Sequence, residues 1–107
     1  MMIEFGQQNR DVVMLLHGGG LSWWNYREVA ELLGSQYHVV LPVLDGHADS
    51  DAPFTTIEDN AARLITYIDA HFGGQIMALG GLRHGDLSIN HPAHYARMFT
   101  EWIGEAL

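Results

Sequence analysis

The segment that most constrains the fold is Val12–Leu16 followed by His17-Gly18-Gly19-Gly20, an unbroken apolar run that stops at three glycines. Five consecutive apolar residues leave no polar face for solvent. They read as a strand buried on both sides, which a parallel sheet covered by helices provides. Glycines at its end permit a tight turn that brings backbone N–H groups close to a ligand, where they can stabilise an oxyanion. The alternative is a plain strand-to-helix turn. A phosphate-binding loop is excluded, because no Gly-Lys-Ser/Thr follows and Gly-x-Gly-x-x-Gly is absent.

The rest of the chain continues the alternation. A short Met2–Phe5 segment and a polar turn at 7–10 precede the buried run. Ser22 is placed to cap a helix reaching Leu33, with Tyr26, Val29, Ala30 and Leu33 at helical spacing and Gly34 as its stop. The spacing predicts a second strand over His38–Val43, running into the turn-forming Asp45-Gly46-His47. Thr56 with Asp59 resembles a capping box, and Ile57, Ala61, Leu64, Ile65, Ile68 and Phe72 mark one face of the helix it opens. After Gly73-Gly74, a third strand is expected over Gln75–Leu79, ending at Gly80-Gly81. Pro92 suits the first turn of a last helix, whose stripe of Tyr95, Met98, Phe99, Trp102 and Ile103 calls for burial.

Strands alternating with helices imply right-handed crossovers. The expectation is one α/β domain over residues 1–107, in three layers, with a short parallel sheet of about three to four strands flanked by helices. With the first buried strand central, a crevice opens at the carboxyl ends of the first and third strands, where open α/β sheets bind ligands. Both glycine turns face it.

Composition narrows the chemistry. A net charge of −8 with only five Lys plus Arg repels phosphate backbones and anionic bilayers, so neither nucleic acid nor membrane is an expected partner. No apolar run approaches membrane-spanning length and no signal peptide is evident, so a cytoplasmic setting is the simplest reading. With no cysteine, there is no disulfide, thiol nucleophile or thiolate metal site. Seven histidines raise the question of a metal, the nearest grouping being His84, Asp86, His91 and His94, but these read as solvent-facing residues near a helix start. No metal or cofactor is called for. His38 and His71 read as peripheral, and the Trp23-Trp24 pair as core or pocket wall.

Three stretches together resemble the α/β-hydrolase superfamily, in particular its serine esterase and lipase-like members. They are Val12–Gly20 (VVMLLHGGG), the loop Leu44–Ser50 (LDGHADS) and Ile76–Gly81 (IMALGG). The resemblance implies that the first is the strand and oxyanion loop, with Gly18, Gly19 and Gly20 at the site and the Gly19 N–H as oxyanion donor. It implies that the second, with Asp45 and His47, lines the pocket, and that the third leads to the Gly-x-Ser-x-Gly nucleophile elbow. The chain departs from the pattern at Leu82-Arg83-His84-Gly85-Asp86-Leu87-Ser88-Ile89-Asn90-His91-Pro92, which resembles the family's last histidine loop and the start of its final helix. By that comparison His84 is the general base. Alternatively, Gly81-Leu82-Arg83-His84-Gly85 keeps the elbow spacing with Arg83 in the nucleophile position. A guanidinium stays protonated and cannot attack a carbonyl, so in either alignment the nucleophile is missing.

The segment that the family places between elbow and histidine loop, including its catalytic acid, has no counterpart here. The resemblance therefore implies a truncated α/β-hydrolase fold, with an internal deletion joining the third strand to the histidine loop and with ester hydrolysis lost. Ser22, Ser50 and Ser88 read as cap or turn residues, since none has an assured base. Asp86 is too close in sequence to His84 to be presumed its orienting acid. Two other readings remain: a small active hydrolase using one of these serines or a partner chain's residues, and a non-catalytic binding or self-association module. The expected partners are a small ester-like molecule and a second copy meeting an exposed sheet edge.

Overall fold

The computed structural model describes residues 2–17, 21–46, 50, 53–81 and 91–106. Four strands form one sheet in the order β1 (Met2–Phe5), β3 (His38–Pro42), β2 (Val12–Leu16), β4 (Ala78–Gly81). As the buried run requires, β2 is interior and parallel to both neighbours, in register Val13 with Val39 on one side and Val13 with Ala78 on the other. The expected parallel sheet is corrected at one edge: β1 runs antiparallel to β3, with Ile3 opposite Leu41, so the sheet is mixed. Four residues are too few to carry a periodic signal; the partner strand, not local pattern, recruits this segment.

Side-chain alternation sorts the sheet into two faces. Val13, Leu15, Val39, Leu41 and Ala78 point to one side, where they meet α1 (Arg27–Leu33) through Val29, Ala30 and Leu33, and α3 (Pro92–Ala106) through Tyr95, Ala96, Phe99 and Ile103. Val12, Met14 and Val40 point to the other, against Leu64, Tyr67, Ile68 and Phe72 of α2 (Ile57–Phe72). The three layers are thus as expected.

Local chemistry sets the helix ends. Thr56 Oγ1 accepts the Asp59 N–H at 3.0 Å, completing the N-terminal half of the box, and Gly73 closes α2 at φ 64°, where a Cβ is strained. At α1 the expectation needs correction: Trp23–Tyr26 is a 3-10 turn, the α-helix begins only at Arg27, and Ser22 makes no capping bond. Ser22 is fully buried instead. Trp23 packs against the core while Trp24 faces solvent.

The third parallel strand is also displaced from its expected span, starting at Ala78 and running through both glycines. The reason is tertiary. A Cβ on Gly80 would lie 2.6 Å from the Phe99 ring, so only glycine lets α3 settle on this strand. His38, expected to be peripheral, ties three elements together: its Nε2 lies 3.0 Å from Glu4 Oε1 on β1, and the Tyr67 hydroxyl of α2 donates to the same oxygen at 3.2 Å. Burial, reinforced by the charge of Glu4 and this hydrogen bond, raises the Tyr67 pKa.

Candidate active site

The three parallel strands deliver their carboxyl ends to one edge of the sheet, with Leu16 of β2 beside Gly81 of β4 and the β3 chain leaving through Val43 and Leu44. Among the residues expected at the site, His84, Gly18, Gly19, Gly20 and His47 lie outside the described residues, as do Arg83, Asp86 and Ser88. Asp45 and the two residues that frame the loops, His17 and Leu44, are described.

His17 is buried, and its Nε2 accepts the Leu44 N–H at 3.1 Å. Accepting at Nε2 leaves the ring proton on Nδ1, so the bond requires a neutral imidazole in one tautomer. The side chain fastens the end of β2 to the exit from β3, which holds the origins of the glycine loop and the Asp45 loop in fixed relation.

The Asp45 loop is fastened a second time, to α2. The Asp45 N–H donates to Asn60 Oδ1 at 3.1 Å, and Asn60 Nδ2 in turn donates to the Thr56 carbonyl at 2.8 Å. The Asp45 carboxylate forms an ion pair with Arg63, one turn further along the helix. Asp45 is mostly buried while the Arg63 side chain is half exposed, so the pair carries more than a surface ion pair and less than a buried one. Gly46 follows at φ 78°, and a Cβ there would sit 2.5 Å from Phe54 Cβ, so the turn tolerates no side chain. The acid therefore reaches α2, where it fixes loop shape.

Sequence reasoning placed Asp45 in this loop but missed Asn60 and Arg63. The available signal was the cap at Thr56: the helix start fixes which residues of the first two turns can meet the preceding loop, and Asn60 and Arg63 are its polar members on that side. A further buried polar residue, Asn25 of the 3-10 turn before α1, is only 1% exposed, and among the described residues neither amide atom meets a hydrogen-bond partner. Next to it in the chain, Tyr26 joins the 3-10 turn to Tyr95 of α3, with ring centroids 5.5 Å apart. Burial, then the hydrogen bond and proximity to Tyr26, push the Tyr95 pKa far up. Among the described residues no three His, Asp or Glu side chains are arranged to hold a metal ion, and no helix is long and apolar enough to cross a membrane.

Comparison with known proteins agrees with this geometry. Residues 13–85 match a family model described as the alpha/beta hydrolase family. A search of curated proteins gives no match. Among solved structures, an epoxide hydrolase from Vigna radiata is similar at TM-score 0.64 and 30% identity, over 74% of this chain and 26% of that one. An esterase from Thermogutta terrifontis is similar at TM-score 0.63 and 26% identity, over 88% of this chain and 35% of that one. A putative ancestral haloalkane dehalogenase, at 24% identity and TM-score 0.64, shares the fold, over 75% of this chain and 29% of its own. The chain spans about a quarter to a third of the length of these structures.

Proposed function

The chain belongs to the α/β-hydrolase family, and from that premise we propose that it is an esterase-related member that binds a small carbonyl compound without hydrolysing it. One observation carries this reading: β4, the strand that leads to the family's nucleophile, ends at Gly81, and the sequence after it, Leu82-Arg83-His84-Gly85, offers no serine whichever way it is aligned, as elbow or as histidine loop. In the parent chemistry a serine oxygen attacks the ester carbonyl, a histidine takes its proton, backbone N–H groups hold the resulting oxyanion, and water later releases the acyl group. Without an attacking oxygen the first bond does not form. On this reading Gly18, Gly19 and Gly20 keep the capacity to hydrogen-bond a carbonyl, with Gly19 as principal donor, His84 is a base with no proton to take, and Asp45 and His47 shape the pocket.

The tying of His17 to Leu44 and of Asp45 to Asn60 and Arg63 supports a retained binding role, since these contacts hold both loop origins. Restoring serine at position 83 alone is not expected to restore turnover, because the acid that orients the histidine has no counterpart. The test is to treat the 107-residue chain with a serine-reactive fluorophosphonate probe and with short-chain p-nitrophenyl esters. No labelling and no hydrolysis above buffer is the expected result. Labelling that disappears in His84→Ala would overturn it and establish an unorthodox serine nucleophile.

A further inference from the structure

Among the described residues β4 is the last strand on its side of the sheet, and its outer edge pairs with no strand. This edge carries no charge and no proline over Ala78–Gly81, so it lacks the usual devices that keep a sheet edge from pairing. Beside it runs a groove floored by Leu79, Gly80 and Gly81 and walled by Tyr95, Met98, Phe99 and Trp102 of α3. Three of these apolar side chains are open to solvent: Leu79 is 53% exposed, Met98 44% and Trp102 50%. The stripe on α3 that the sequence marks for burial is therefore only partly covered. Tyr95, Phe99 and Ile103 reach the core, and Met98 and Trp102, one turn apart, face outward. Met98 and Trp102 on one face and Leu79, in register with Met14, on the other leave apolar surface on both sides of the open strand edge, and this calls for a partner.

We propose that the partner is a second copy of this chain, with the two β4 strands pairing antiparallel about a two-fold axis through Leu79 and the α3 flanks covering each other. The geometry is self-consistent. A two-fold axis perpendicular to the sheet keeps each face on its own side, so Leu79 meets the other Leu79 and Gly80 lies opposite Ala78, joining two four-stranded sheets into one. The same axis sets the two α3 helices antiparallel. His94 and Glu101, exposed and seven residues apart, lie on the flank that carries Met98 and Trp102. Antiparallel packing brings the His94 end of one helix to the Glu101 end of the other, a donor to an acceptor, on both sides of the axis. This complementarity selects a second copy. With a net charge of −8 two copies repel each other over most of their surface, and here Glu101 of each is answered by the other's imidazole.

The experiment is sedimentation velocity on the full chain from micromolar to millimolar concentration, with far-UV circular dichroism to check the fold. A reversible monomer–dimer equilibrium is expected. Leu79→Lys, which charges the edge, and Trp102→Glu should each raise the dissociation constant by at least about tenfold, the effect of losing one well-buried interface anchor. His94→Glu should weaken association, and the exchange His94→Glu with Glu101→His should restore it, which a merely apolar association would not do. Both are exposed positions, so the fold should survive these changes. A monomer at every concentration would overturn the proposal. So would a dimer that persists unchanged in folded Leu79→Lys and Trp102→Glu.

Discussion

The two faces of the sheet are covered very differently. On the α1 and α3 face, strand residues interlock with helix residues that are themselves buried, including Val29, Leu33, Tyr95 and Phe99. On the α2 face, the strand residues Val12, Met14, Val40 and Pro42 are buried, but among the described residues none of α2 is. Ile57 and Ile65 of α2, which the periodicity assigns to the packed face, are exposed, Ile57 by 75%. The helix packs on the sheet through Leu64, Tyr67, Ile68 and Phe72. Burial of apolar area drives folding, so most of the stability lies on the first face. What α2 supplies is position: Thr56, Asn60 and Arg63 hold the Asp45 loop, and Tyr67 reaches Glu4 at the far end.

Two substitutions probe that contrast. Phe99→Ala empties a site between Gly80 and Tyr95 and should cost about 3–5 kcal/mol, enough to unfold a small domain. The equivalent change on the thin face, Ile68→Ala, should cost only about 1 kcal/mol because its side chain is half covered to begin with. Urea denaturation of both variants measures the difference, and equal losses would refute the asymmetry.

Next in size is the alkaline response of the thick face. The Tyr95 phenol titrates near pH 10 in the unfolded chain but well above it in the folded one, so above pH 10 the folded state holds the extra proton. Stability contributed by the neutral phenol is complete below pH 10 and falls as pH rises beyond it, by up to about 1.4 kcal/mol per pH unit for one group. Tyr95→Phe should flatten the decline in urea midpoint above pH 10; an unchanged slope would place the titration elsewhere, Tyr67 being another phenol whose pKa is raised.

The smallest global effect belongs to the loop anchor. Arg63→Gln should lower overall stability by about 1 kcal/mol or less, since one partner is half exposed. Its effect is local: hydrogen exchange at the Leu44 and Asp45 amides should accelerate while core amides of β2 do not change. Uniform acceleration would mean that α2 supports the whole sheet and not only the loop.

The local order of elements could be read from the chain. Continuous apolar residues at Val12–Leu16, the cap at Thr56, the stop at Gly73 and the start at Pro92 are decided within a few bonds, by side-chain sterics, hydrogen-bonding groups and φ. The central place of β2 follows as well, because a strand with no polar face needs neighbours and helices on both sides. The candidate site was legible only as a location, where three strand ends meet and the Asp45 loop begins.

What the tertiary structure decided depends on groups far apart in the chain. Whether Met2–Phe5 becomes a strand depends on β3, and the glycines of β4 answer to distant groups, Gly80 to the ring of Phe99 and Gly81 to the backbone of Leu16. The direction in which Asp45 spends its charge depends on Arg63, and the exposure of Met98 and Trp102 depends on where the sheet stops. A periodic pattern tells a helix which side is apolar, but how wide a strip is covered is set by the surface opposite. Among the described residues the surface under α3 ends at β4, and the sequence of the helix carries no record of where its partner sheet stops.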